Sequence, residues 1–286
     1  MPICRLRLIV PILVAAASLP LSTTAATAAG PPGAASRPWM AYAPPAAGQH
    51  LVRQARHLVT PDAITDYTSN NWDGYFATAA NEGTDFTAVS ATWTQAAVTC
   101  SGSAQEWGGF WVGMDGWWND VVEQGGTEAQ CINGSPEYNV WWEMYPFNAI
   151  QTGFAINAGD TIEASVTYVA STQMFDIVVK DTTSGQTLTE DTPCQTGQNG
   201  CPRTSADIIS EDITNLGSGG LFPLPDYGTE TYTSASVTDT SGHTGSLSDS
   251  AWQLGEVTEV SGGVTKQTTS ALNPAGTSFT TTWQSQ

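Results

Sequence analysis

A two-residue alternation, repeated in short runs and broken by turn residues, limits the fold of this chain more than any other feature. Between residues 161 and 169, Ile162, Ala164, Val166 and Tyr168 alternate with Glu163, Ser165 and Thr167. Phe175, Ile177 and Val179 repeat the pattern, and Val89, Ala91 and Trp93 alternate with Ser90, Thr92 and Thr94. Successive side chains of a strand point to opposite faces, so each run describes a strand buried on one side. Asn157-Ala158-Gly159-Asp160, Ser184-Gly185, Ser241-Gly242 and Ser261-Gly262-Gly263 punctuate the runs as turns. No segment sustains a 3.6-residue period, and no internal repeat is visible. Many short strands with such punctuation predict an all-β sandwich or barrel.

Charge divides the 286 residues into two regions. Five of the eight basic residues (Arg5, Arg7, Arg37, Arg53 and Arg56) precede residue 60, where there is no Asp or Glu. From Ser69 onward 25 acidic residues face only Lys180, Arg203 and Lys266, a net charge of −22. That sign argues against nucleic acid or an anionic membrane as partner, since both need clustered cations. The chain is 40% hydrophobic and holds 11 Trp, which argues against disorder. Most of the carboxyls are neutral at pH 3, so the composition suits a body that is stable in acid.

The N-terminus reads as a secretory signal: Arg5 and Arg7, an apolar run from Leu8 to Leu21, then Ala26-Thr27-Ala28 as a cleavage site. Residues 1–28 are therefore expected to be removed, leaving a secreted, extracellular protein off the membrane. Residues 29–68 form a Pro-, Ala- and Gly-rich linker followed by His50, Arg53, Arg56 and His57. They read either as a plain tether or as a propeptide over an acidic cleft. Residues 69–286 form the expected folded domain, with a monomer as the default. Cys4 leaves with the signal, and Cys100, Cys131, Cys194 and Cys201 remain. Four cysteines allow three pairings. The short spacing of Cys194 and Cys201 favours a local bridge, which leaves Cys100 with Cys131. No CxxC occurs and His243 is the one histidine beyond residue 57, so no metal or other cofactor is expected.

The stretch from Trp107 to Pro146 carries six of the tryptophans together with Asp115, Asp120, Glu123, Gln124, Glu137 and Glu143. Aromatics with acids and amides suit packing, a sugar ring or an extended peptide. Serine and cysteine triads require a base histidine, and His243 in a Ser-Gly-His-Thr-Gly turn is a poor candidate. Carboxylates and amides remain, for glycoside hydrolysis by two carboxylates or peptide hydrolysis by a carboxylate base with an amide at the oxyanion.

Seven segments in order then resemble the glutamic peptidases, or eqolisins. They are Asn71-Trp72-Asp73-Gly74, Phe110-Trp111-Val112-Gly113-Met114-Asp115-Gly116, Val122-Glu123-Gln124-Gly125-Gly126, Val140-Trp141-Trp142-Glu143-Met144-Tyr145-Pro146, Ala158-Gly159-Asp160-Thr161-Ile162, Ala206-Asp207-Ile208-Ile209-Ser210-Glu211 and Pro225-Asp226-Tyr227-Gly228-Thr229. The resemblance implies a lectin-like, jelly-roll sandwich of two large antiparallel sheets and an acid endopeptidase insensitive to pepstatin. It implies Gln124 and Glu211 as the catalytic pair, with Trp111, Asp115, Trp142, Glu143 and Asp207 binding or supporting, and polypeptides as substrates. Asp73, Glu123, Asp207 and Ile208 depart from the family segments, which carry Ala or Ser, an apolar residue, Glu and Trp there. Asp207 lies four residues before Glu211 on the same strand face and is the alternative base. A carbohydrate-active or lectin-like sandwich, and a family member without catalysis, stay open as alternatives.

Overall fold

The computed structural model describes residues 40–41, 51–52, 64–79, 86–103, 105–147, 150–195, 200–215 and 218–286. The signal sequence, Arg37, Arg53, Arg56 and both leader histidines lie outside them. The fold is all-strand, as expected. Fifteen strands have five residues or more: β1 (Thr65–Ser69), β2 (Trp72–Ala79), β3 (Phe86–Thr94), β4 (Gln105–Asp115), β5 (Val122–Ile132), β6 (Ser135–Tyr145), β7 (Ile150–Ala155), β8 (Thr161–Val169), β9 (Met174–Asp181), β10 (Thr187–Pro193), β11 (Ser205–Asp212), β12 (Thr229–Asp239), β13 (Trp252–Ser261), β14 (Val264–Thr269) and β15 (Phe279–Trp283).

They form two curled sheets that share one strand. The first runs β7-β6-β5-β4-β11-β2-β13, with β13 continuing to β1 and β14 and then to β15. The second runs β10-β9-β8-β3-β12. Residues 229–232 of β12 pair with β15, and residues 233–239 pair with β3 across register shifts. Every pairing named is antiparallel except β1 with β13.

The alternation read from the sequence is the inner face of the second sheet. Val89, Ala91, Trp93, Ile162, Val166, Phe175, Ile177 and Val179 are buried against Tyr75, Phe110, Val112, Met114, Val140 and Ile208 of the first. Each such side chain contributes about 2 kcal/mol by leaving water. The first sheet is buried on its other face too, by Trp72, Phe76, Trp107, Trp111, Trp117, Val122, Trp141, Ile209 and Val257. That second aromatic layer explains why β4, β5 and β11 lack alternation: nearly every position along them is buried. Disulfides join Cys100 to Cys131 and Cys194 to Cys201, the pairing that the spacing favours.

Candidate active site

The outer face of the first sheet is organised in transverse rows fixed by register. One row runs Phe76, Asp207, Gly113, Gln124, Glu143 across β2, β11, β4, β5 and β6. The next runs Gly74, Ile209, Trp111, Gly126, Trp141, and the third Trp72, Glu211, Gly109, Glu128, Asn139. Gln124 and Glu211 therefore share a face two rows apart, with the Trp111 row between them. Glycine at position 126 is what lets that middle row close. A Cβ there would lie 2.1 Å from the Phe110 carbonyl oxygen and 2.7 Å from the Trp111 Cβ.

Glu211 is fully buried and held from the β1–β2 turn and from β4. Asn71 Nδ2 donates to its Oε1 at 3.0 Å, and Trp111 Nε1 to its Oε2 at 2.9 Å. Asn71 is itself set by Ser69, whose Oγ accepts from the Asn71 and Trp72 amides at 3.2 and 3.0 Å. Burial pushes the Glu211 carboxyl well above the usual range and the nearby Glu143 adds to this, while Trp111, Trp72 and Asn71 oppose it. Glu143 Oε2 accepts from Gln124 Nε2 at 2.9 Å. The half-buried Tyr145 hydroxyl feels Glu143, Asp120 and Glu211, and burial followed by those charges raises it. Glu211, Gln124, Glu143, Trp111 and Tyr145 thus converge on one acidic face.

The other expected residues sort differently. Asp115 is saturated with donors: Arg203 N at 2.6 Å, Thr204 N at 2.8 Å, Thr204 Oγ1 at 3.1 Å and Asn119 Nδ2 at 2.8 Å. It ties the end of β4 to the lead-in of β11. Asp207 shares the face of Glu211, accepts from Ser205 Oγ at 3.2 Å, and is pushed well up, by burial first and by Asp115. Trp142 is not brought to this face. It packs on the inter-sheet core and pairs with Gly125, whose Cβ position abuts Ile177, while Trp141 takes the outer side. Among the described residues no cluster of His, Cys, Asp or Glu could hold a metal ion.

Sequence reasoning left Asn71, Tyr145 and Glu128 outside the site. Glu128 is fully buried and accepts from Gln130 Nε2 at 3.2 Å and Asn139 Nδ2 at 3.1 Å. The polar spacing Gln124, Glu128, Gln130, with Gly126 between, was the available signal, since all four share one face. Glu123, next to Gln124, turns to the opposite side, where burial and then Asp115 push it well up.

A two-sheet sandwich with these buried carboxyl–amide contacts on one face defines a class. The chain belongs to the peptidase A4 family, whose family model matches residues 70–283. Among solved structures, scytalido-glutamic peptidase with a transition state analog inhibitor is 24% identical with a TM-score of 0.62, over 75% of this chain and 98% of that one. SCP-B, an eqolisin in complex with the tripeptide Ala-Ile-His, is 24% identical with a TM-score of 0.58 over the same shares. Aspergilloglutamic peptidase from Aspergillus niger is 27% identical with a TM-score of 0.54, over 63% of this chain and 99% of that one. No curated protein sequence matches the chain significantly. The two-sheet β-sandwich is thus that of the eqolisin peptidases, and the chain is a peptidase by family.

Proposed function

We propose that the chain is a secreted endopeptidase that works in acid, with Gln124 and Glu211 as its catalytic pair and extended polypeptides as substrates. The observation that carries this reading is the convergence of Glu211, Gln124 and Glu143 on one buried face, each held by named donors or acceptors. Glu211 takes a proton from water as the oxygen attacks the peptide carbonyl carbon. The Gln124 amide donates to the oxyanion of the tetrahedral intermediate. Glu211 then delivers the proton to the amine nitrogen and the C–N bond breaks, leaving an acid and an amine. An amide nitrogen carries two hydrogens, so the bond to Glu143 orients Gln124 while a second hydrogen serves the oxyanion.

Glu143 and Glu211 are a like-charged pair on this face. Like charges resist joint ionisation, so burial and Glu143 both favour the protonated form of Glu211 while its donors oppose them. The two donors on Glu211 favour Glu211 as the ionised member, which is the form a base needs.

The leader fits a prosegment. Met40 and Ala41 pair with Asn215 and Thr214, just past Glu211, and Leu51 and Val52 pair with Thr68 and Tyr67. Signal cleavage after Ala28 precedes removal of residues 29–68, and the released body is a monomer. The test is hydrolysis of denatured casein at pH 3.5 by the parent, Gln124→Ala and Glu211→Gln, with folding checked by circular dichroism. Parent activity insensitive to pepstatin and chelators, and its loss in both variants, is expected. Full activity in either folded variant sinks the pair.

A further inference from the structure

Behind the strands that carry Trp72 and Glu211 lies a second acidic group with no part in the reaction above. Asp73 and Asp212 adjoin Trp72 and Glu211 in the chain and so face away from the catalytic face. Glu259 joins them. Its backbone N–H donates to Asp73 Oδ1 at 3.4 Å, and its Oε2 accepts from Gln267 Nε2. Gln267 Oε1 in turn accepts from the Tyr227 hydroxyl at 2.6 Å. Ser210 Oγ lies 3.1 Å from the Tyr232 hydroxyl and 2.7 Å from Thr281 Oγ1. All of these side chains are buried.

The ionisable groups facing the cluster are Asp73 and Tyr75 from β2, Asp212 from β11, Glu256 and Glu259 from β13, Lys266 from β14, and Tyr227 and Tyr232 at and before β12. Asp66 of β1 acts on Glu256 from outside it. Lys266 is the one cation among these groups. One oxygen of each carboxyl (Asp73 Oδ2, Asp212 Oδ1 and Glu259 Oε1) has no hydrogen-bond partner among the described residues. A buried carboxylate oxygen without a donor is costly, whereas a protonated carboxyl carries its own donor.

We infer that Asp73, Asp212 and Glu259 form a proton-held clasp that ties β2, β11 and β13 to β14 in acid and opens as pH rises, taking with it the strands that present Glu211. Burial, and then Glu259, push Asp73 and Asp212 well above the usual carboxyl range, with Lys266 opposing at Asp212. Burial lifts Glu259 to about 8 against Gln267 and Lys266. A carboxyl whose proton affinity rises on folding supports the fold below its unfolded pKa. That support is withdrawn as pH climbs through the folded value, here from the ordinary carboxyl range up to about 8 for Glu259.

The experiment follows tryptophan fluorescence of the full purified chain as pH is raised, so it reads unfolding and stands whether or not Gln124 and Glu211 are the catalytic pair. Asp73→Asn and Glu259→Gln should move the unfolding midpoint to higher pH and remove about one proton each from its linkage slope. Lys266→Met, which keeps all three carboxyls, should move it to lower pH. Asp191→Asn, at an exposed site in β10, should leave it unchanged. Midpoints and slopes equal to the parent in Asp73→Asn and Glu259→Gln, or no downward shift in Lys266→Met, overturn the clasp. If the carboxyl variants do not fold, Lys266→Met decides alone.

Discussion

Replacing Trp111 with Phe removes one hydrogen bond from Glu211 and leaves an aromatic ring in the outer layer. The lost contact is the 2.9 Å donation from Nε1 to Oε2 of a fully buried carboxyl. Hydrogen bonds to charged groups are worth about 1.5–3 kcal/mol. One pKa unit corresponds to about 1.4 kcal/mol, so the Glu211 pKa should rise by about 1–2 units. A base must be ionised, so the acid limb of kcat/KM, which reports the free enzyme, should move to higher pH by the same amount. Glu143→Gln removes a like charge that raises Glu211 and should move the limb the other way. The assay is kcat/KM for a quenched peptide from pH 2 to 7, with folding checked at each pH because Trp111 also packs edge-on against Trp72 at 5.0 Å. An unmoved limb in Trp111→Phe, or shifts of the same sign in both variants, would refute the assignment of Glu211 as base.

Three further outcomes are expected. Gly126→Ala should destabilise the fold by about 1–3 kcal/mol through overpacking and lower activity, since the new methyl meets the Phe110 carbonyl and Trp111; a thermal melt at pH 3.5 checks it. Opening Cys100–Cys131, separated by 31 residues, should cost more than opening Cys194–Cys201, separated by 7. Loop-closure entropy gives about 4 against about 2 kcal/mol, readable by urea unfolding of the two double-serine variants. A peptide of residues 30–68 added in trans should inhibit the body more strongly at pH 6 than at pH 3, because its arginines meet ionised carboxylates only at the higher pH.

The second sheet was legible because it is half-buried. Val89, Ala91 and Trp93 alternate with Ser90, Thr92 and Thr94 since one face meets the core and the other meets water. The first sheet was not. In β4, Trp107 and Trp111 face one buried layer and Phe110, Val112 and Met114 the other, so periodicity says nothing and ordered motifs were needed. Those motifs reached Gln124 and Glu211 but could not separate Trp141 from Trp142, which only register distinguishes. They quoted Asn71 and Tyr145 without revealing their contacts, because a hydrogen bond across 140 residues leaves no local trace. The boundary at residue 69 rested on where the family segments begin. Strand β1, which starts at Thr65, pairs with β13 and carries the sheet four residues further back.

That pairing also orders events during synthesis. Thr65–Ser69 lies beside residues 255–259, and β2 has β13 as its second neighbour, so the strand that follows Asn71 waits for a partner translated much later. Contacts so distant along the chain form late. A nascent chain that stops short of residue 252 lacks this neighbour, and the outer layer around Trp72 and Phe76 loses Val257. Chains truncated before residue 252 therefore lack one flank of the strand that presents Trp72 and Phe76 to the outer layer.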